Sequence, residues 1–151
     1  MVKVISKDSK LGTSDIERLE AEIQIQLPKE YKSFLLKFNG GYTVLPLFRI
    51  SDEQGVSVVN NLFGTGSSHR NLQKVIDILE DRMPEGFIPI GDDPSGNMIC
   101  VGTKAPYYDH IYFWDHEEEA EDEPDMSNMY FLANNIFEFL DSLYDDPSVY
   151  E

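Results

Sequence analysis

After Lys104 the sequence contains neither lysine nor arginine, although fourteen of its twenty-eight carboxylates lie in that stretch. The twelve basic residues all fall in the first 104 positions, against the other fourteen acids. That part is close to neutral at −2, and the remainder holds −14 of the net −16. Its densest portion is DHEEEAEDEPD, from Asp115 to Asp125. A field so one-sided repels DNA, RNA and anionic membrane and attracts cationic partners. At about 0.15 M salt the screening length is about 8 Å, so the attraction acts at close approach.

Cysteine is nearly missing too. Cys100 stands alone, which excludes an intramolecular disulfide and suits a reducing compartment. No run approaches the roughly 18 apolar residues of a membrane-spanning helix. The opening MVKVISKDSK is broken at Ser6, Lys7 and Asp8, too early for a signal-peptide core. A cytoplasmic location is expected. Patterns for chemistry are lacking as well. His110 and His116 lie six residues apart on a strand-like segment, about 20 Å, too far to share one ion. Gly91–Asn97, GDDPSGN, lacks the calcium-loop register and reads as a hairpin turn. Gly64 and Gly66 are followed by no Gly-Lys-Ser/Thr, and there is no nucleophile elbow. No catalytic residue, metal ligand or cofactor is expected, and the chain reads as a binding protein rather than an enzyme.

What is present suffices for one ordered domain over residues 1–151, with 41% apolar and 12% aromatic residues. Ser14 with Glu17 suggests a capping box, followed by Ile16, Leu19 and Ile23 on one helical face. A second helix opens at Pro28, carries Tyr31, Phe34, Leu35 and Phe38, and stops at Asn39-Gly40-Gly41. Strand-like segments follow at Val44–Ile50 and Val56–Phe63, the first made irregular or edge-like by Pro46. Gly64–Arg70 has loop composition, and a third helix spans about 71–83. Three strands are expected at 87–90, 97–101 and 110–116, and an acidic loop at about 117–126. A last helix is expected over about 127–144, presenting Leu132, Ile136, Phe137, Leu140, Leu143 and Tyr144. The order predicts an α+β fold with helices packed on one mainly antiparallel sheet.

For the acidic run, a merely solubilising loop is the plain alternative. Its neighbours argue for more: it follows Tyr112, Phe113 and Trp114 and precedes Met126, Met129, Tyr130 and Phe131. Aromatics inside a charged rim are the usual make-up of a protein interface. The candidate docking residues are therefore Glu117, Glu118, Glu119, Glu121, Asp122, Glu123 and Asp125, with Trp114 and Tyr130 as anchors.

Four strings carry a family resemblance: LPKEYKSFLLKFNGG (Leu27–Gly41), FIPIGDDPSGNMICV (Phe87–Val101), HIYFWDHE (His110–Glu117) and FEFLDSL (Phe137–Leu143). Their order and spacing resemble the SUKH superfamily, which includes bacterial immunity proteins and a fungal cell-wall-assembly regulator. The resemblance implies a non-catalytic α+β protein that neutralises a cognate basic toxin domain, a nuclease of the LXG class, in the producing cell. The fungal branch implies an alternative, a cytosolic interaction scaffold in cell-wall or signalling regulation. It also implies that Leu27, Pro28, Tyr31, Gly40, Gly41, Gly91, Asp92, Gly96, Trp114 and Asp115 are scaffold positions. Asp92 and Asp93 are expected to add surface charge.

Overall fold

A computed structural model of the chain describes residues 4–6, 9–66 and 71–150. The end of the Gly64–Arg70 loop and half of the MVKVISKDSK segment lie outside the described residues. The elements run β1 (Val4–Ile5), α1 (Thr13–Ile23), α2 (Lys29–Phe38), β2 (Tyr42–Thr43), β3 (Leu47–Ser51), β4 (Gly55–Val58), β5 (Asn61–Leu62) and α3 (Leu72–Leu79). They continue with β6 (Phe87–Asp92), β7 (Met98–Gly102), β8 (Ile111–Trp114), β9 (Met129–Ala133) and α4 (Ile136–Ser142). β5 to β9 form a five-stranded antiparallel sheet in chain order, while β1–β2 and β3–β4 are separate antiparallel pairs. The fold is α+β, as the element pattern predicts.

Alternation along β8 gives the central sheet its two faces. Phe113 packs on Phe48, which meets Phe139 edge-on, so β3 and α4 cover one side. Trp114 and Cys100 turn to the other side, where Arg82 and Met83 follow α3. Burial there pushes the Cys100 thiol far up from its ordinary range, making it a small core hydrophobe.

Helix starts depart from the sequence expectation by a residue or two, for identifiable reasons. α1 begins at Thr13, and Ser14 lies inside it; the Gly12 N–H donates to Asp15 Oδ2 at 2.8 Å, taking the place of the Ser14–Glu17 box. Pro28 is the residue before α2, not its first. Its ring carries no capping oxygen, so the first turn is capped from elsewhere in the chain. The N–H groups of Glu30 and Tyr31 donate to Asp109 Oδ2 and Oδ1 at 3.0 and 3.3 Å, and that of Lys29 donates to the Tyr108 hydroxyl at 2.9 Å. At the far end the left-handed cap is Asn39, at φ 51°, and not a glycine. Its Nδ2 donates to Ser9 and Thr65 carbonyls and its Oδ1 accepts from Thr65 N–H. The two glycines after it answer to close packing: a Cβ on Gly41 would lie 2.2 Å from the Ile5 carbonyl oxygen.

Three expectations need larger correction. The helix expected over 127–144 is two elements, strand β9 and the short helix α4. Asn135 ends the strand and caps the helix, its Oδ1 accepting from Glu138 N–H at 2.9 Å. Phe139 rather than Phe137 is the fully buried aromatic of α4. The strand expected at 44–50 starts only at Leu47, the one at 56–63 divides into β4 and β5 of different sheets, and the one at 110–116 narrows to β8, with His116 beginning a 3₁₀ turn. Asp92 and Asp93 are buried and contribute no surface charge. Asp92 Oδ1 accepts from Asn61 N–H and Asn60 Nδ2. Asp93 closes the β6–β7 turn by accepting from the Ser95 and Asn97 N–H groups, Asn97 Nδ2 and the Ser57 hydroxyl.

Candidate protein-docking surface

The acidic loop is anchored firmly at its base. Asp115 N–H donates to the Asn128 carbonyl at 3.1 Å, and Asn128 Nδ2 returns a bond to the Asp115 carbonyl at 2.9 Å. Asn128 is itself buried. On the way out, Asp115 Oδ1 accepts from Glu117 N–H and starts a 3₁₀ turn. On the way back, Asp125 Oδ1 accepts from Ser127 N–H and starts another. The Ser127 hydroxyl donates to the same oxygen, and the two bonds, hydroxyl first and amide second, lower the Asp125 carboxyl from its usual range. A further strut runs to the β6–β7 turn: His116 N–H donates to Asn97 Oδ1, and its Nε2 lies 2.9 Å from the Ser95 carbonyl. The loop thus projects from a rigid stem, although its sequence has the composition of a disordered tract.

Of the seven candidate carboxylates, Glu117, Glu118, Glu121, Asp122, Glu123 and Asp125 are exposed and make no ion pair among the described residues. Glu119 is different. It is partly covered and paired with Arg82, which lies beyond α3. Glu53, at the β3–β4 turn, adds to the same negative field as Asp115 and Glu118 around Tyr130.

Tyr130 is half-buried on β9 and donates its hydroxyl to Glu118 Oε1 at 2.8 Å. That bond, with desolvation and the surrounding carboxylates, pushes the phenol up to about 12. The Tyr130 ring lies beside that of Phe113, with centroids 6.5 Å apart. Trp114, the other expected anchor, does not lie on the surface. It is 1% exposed, turned into the α3 side of the sheet, with the Arg82 guanidinium 5.1 Å from its ring centroid. The aromatic that the sequence places beside the run but not among the anchors is Phe131, 48% exposed and edge-on against His110 and Tyr112. Reading 129–133 as helix hid it; on a strand, its neighbour relation to Tyr130 puts one ring on each face of β9. β9 is also the end strand of the sheet, pairing only with β8 among the described residues.

Residues 10–142 match the model of the SMI1/KNR4 family, SUKH-1. The chain belongs to that family. It is 32% identical, over an alignment of 151 positions, to an SPbeta prophage-derived uncharacterized protein, YokK, of Bacillus subtilis (strain 168). The alignment covers 87% of this chain and 74% of that protein. No solved structure matches. SUKH-1 is generally a family of non-enzymatic proteins, often of immunity type. No helix among the described residues is long and apolar enough to cross a membrane.

The SUKH-1 motif positions have structural work. Tyr31 is fully buried at the start of α2, Gly40 and Gly41 adopt positive φ, and Gly91 faces the Asn61 carbonyl where a Cβ would approach to 2.8 Å. Asp115 caps the loop's first turn. None of these positions is part of the exposed acidic surface, which begins at Glu117, the last residue of the third motif string, and ends before the fourth.

Proposed function

We propose that this protein is an immunity protein whose single domain binds and neutralises a basic toxin domain, a nuclease, inside the producing cell. The observation that carries the reading is the acidic loop: six exposed carboxylates, without ion pairs among the described residues, held on a stem tied to the sheet. Nuclease sites are cationic because they hold phosphates, and a surface of this sign can occupy such a site or its rim. Charge would govern encounter, and the aromatic contacts at Tyr130 and Phe131 would govern release. The test is co-expression with a candidate toxin domain, scored for growth and for a co-purifying complex. Restored growth together with a co-purifying stoichiometric complex supports the reading; continued toxicity with no complex refutes it.

A further inference from the structure

A concave surface lies on the α3 side of the central sheet, next to the acidic loop. Its volume is about 470 Å3, and its walls include Ile78, Leu79, Arg82, Met98, Trp114 and His116. Three independent features meet there. Ile78 is 73% exposed, the largest exposure of a bulky apolar side chain among the described residues. It sits on a helix whose Leu72, Val75, Ile76 and Leu79 already fill the core, so α3 carries apolar surface beyond what the fold consumes. Trp114 is buried, yet its Nε1 donor has no acceptor. Arg82 covers the Trp114 ring while its guanidinium pairs with Glu119 of the loop. One cation therefore both neutralises the loop's base and closes the groove over its aromatic.

We propose that this groove receives a cationic segment of a partner protein that carries an apolar side chain beside its lysines or arginines. The inference rests on the loop's proposed role in binding basic proteins and names the second half of that surface. A second copy of the chain is the wrong occupant, because two molecules of net charge −16 would bring like fields together. The partner's cations take up the loop carboxylates, Glu119 among them. Arg82, exchanged off Glu119, leaves the Trp114 ring. The incoming apolar side chain then packs on Ile78, Leu79 and the uncovered indole, and a backbone carbonyl of the segment accepts from Nε1.

Trp114 is the only tryptophan, so emission excited at wavelengths that the tyrosines do not absorb reports this groove alone. The full chain is titrated with a peptide of alternating leucine and lysine, and with the same peptide carrying serine for leucine. Expected is a saturable change in Trp114 emission with the leucine peptide, at least ten-fold weaker with the serine peptide and with the Ile78→Lys variant. Ile78 is too exposed for that variant to disturb the core, which an unchanged melting temperature verifies. Arg82→Gln, lacking the lid, binds the leucine peptide more tightly. No emission change up to millimolar peptide, or equal binding by wild type and Ile78→Lys, overturns the groove. So does dimerisation of the free chain that Ile78→Lys abolishes. The rescue assay separates the two claims. If wild type and Ile78→Lys protect cells equally, the docking function stands and the groove is refuted. If wild type fails to protect while the peptide still binds at Trp114, the groove stands and the immunity reading is refuted.

Discussion

Two side chains do more than their surroundings suggest. Asp109 is held at φ 66°, a conformation that asparagine and aspartate tolerate better than most, and from there its carboxylate caps α2. Asp109→Ala removes both acceptors, and a loss of about 1–2 kcal/mol is expected by denaturant titration. Asp109→Asn, which keeps one acceptor and the backbone preference, should lose less; equal loss would mean the cap is dispensable. Tyr130 offers a second check. Its phenol is raised to about 12 chiefly by the bond to Glu118, so the folded state favours the protonated ring. That contribution is complete below the unfolded phenol's value near 10 and is lost as pH climbs from about 10 to about 12. Glu118→Ala should return Tyr130 toward 10, followed through its ring carbons by NMR; a titration unmoved by the change would break the link.

Among the elements, the helices α1 to α3 and the strands of the β6–β7–β8 meander were legible as elements, although α3 ends at Leu79, short of the expected 83, and β8 at Trp114, short of the expected 116. β9 was not. Met129, Tyr130, Phe131 and Leu132 blend into the apolar spacing of Ile136 and Leu140, and no glycine or proline separates them. The signal was Asn135 with Glu138 three residues on: Asn135 Oδ1 accepts from Glu138 N–H, and Glu138 Oε1 reaches back to the N–H of Asn134, one residue before the cap, at 3.3 Å. The caps of α2 were beyond reach for another reason, since residues 78 and 79 positions away supply them. As an end strand, β9 should show two classes of amide in hydrogen exchange, those bonded to β8 slow and the alternate ones fast. Uniform protection from Met129 to Ala133 would mean the outer edge is covered. The junction of α2 with β5 is more demanding. A Cβ on Gly64 would lie 2.0 Å from the Asn39 carbonyl oxygen, backbone against backbone. Gly64→Ala should therefore destabilise by about 3 kcal/mol, measured by the shift in denaturation midpoint.

At the level of the molecule, the charge imbalance was readable from sequence but its arrangement was not. Composition could not show that Asp92 and Asp93 are buried, nor that Arg82 reaches the base of the acidic loop at Glu119. The remaining loop carboxylates repel one another at low salt. Replacing Glu117, Glu118, Glu121, Asp122 and Glu123 by their amides should raise the melting temperature at low ionic strength. The gap should close near 1 M salt, where screening falls to about 3 Å. The same variant should associate with its basic partner more slowly, with a flatter salt dependence, in stopped-flow measurements. An unchanged on-rate would assign the loop to solubility alone.

The capping of α2 has a consequence for the order in which the protein can be made. Lys29, Glu30 and Tyr31 leave the ribosome long before Tyr108 and Asp109, which meet their amides. Until that later stretch emerges, the start of the helix stays frayed, and nascent chains halted before residue 108 should be cut by protease near Pro28. The N-terminal third is thus completed only from the far side of the chain, and the finished fold is sealed in reverse of its synthesis.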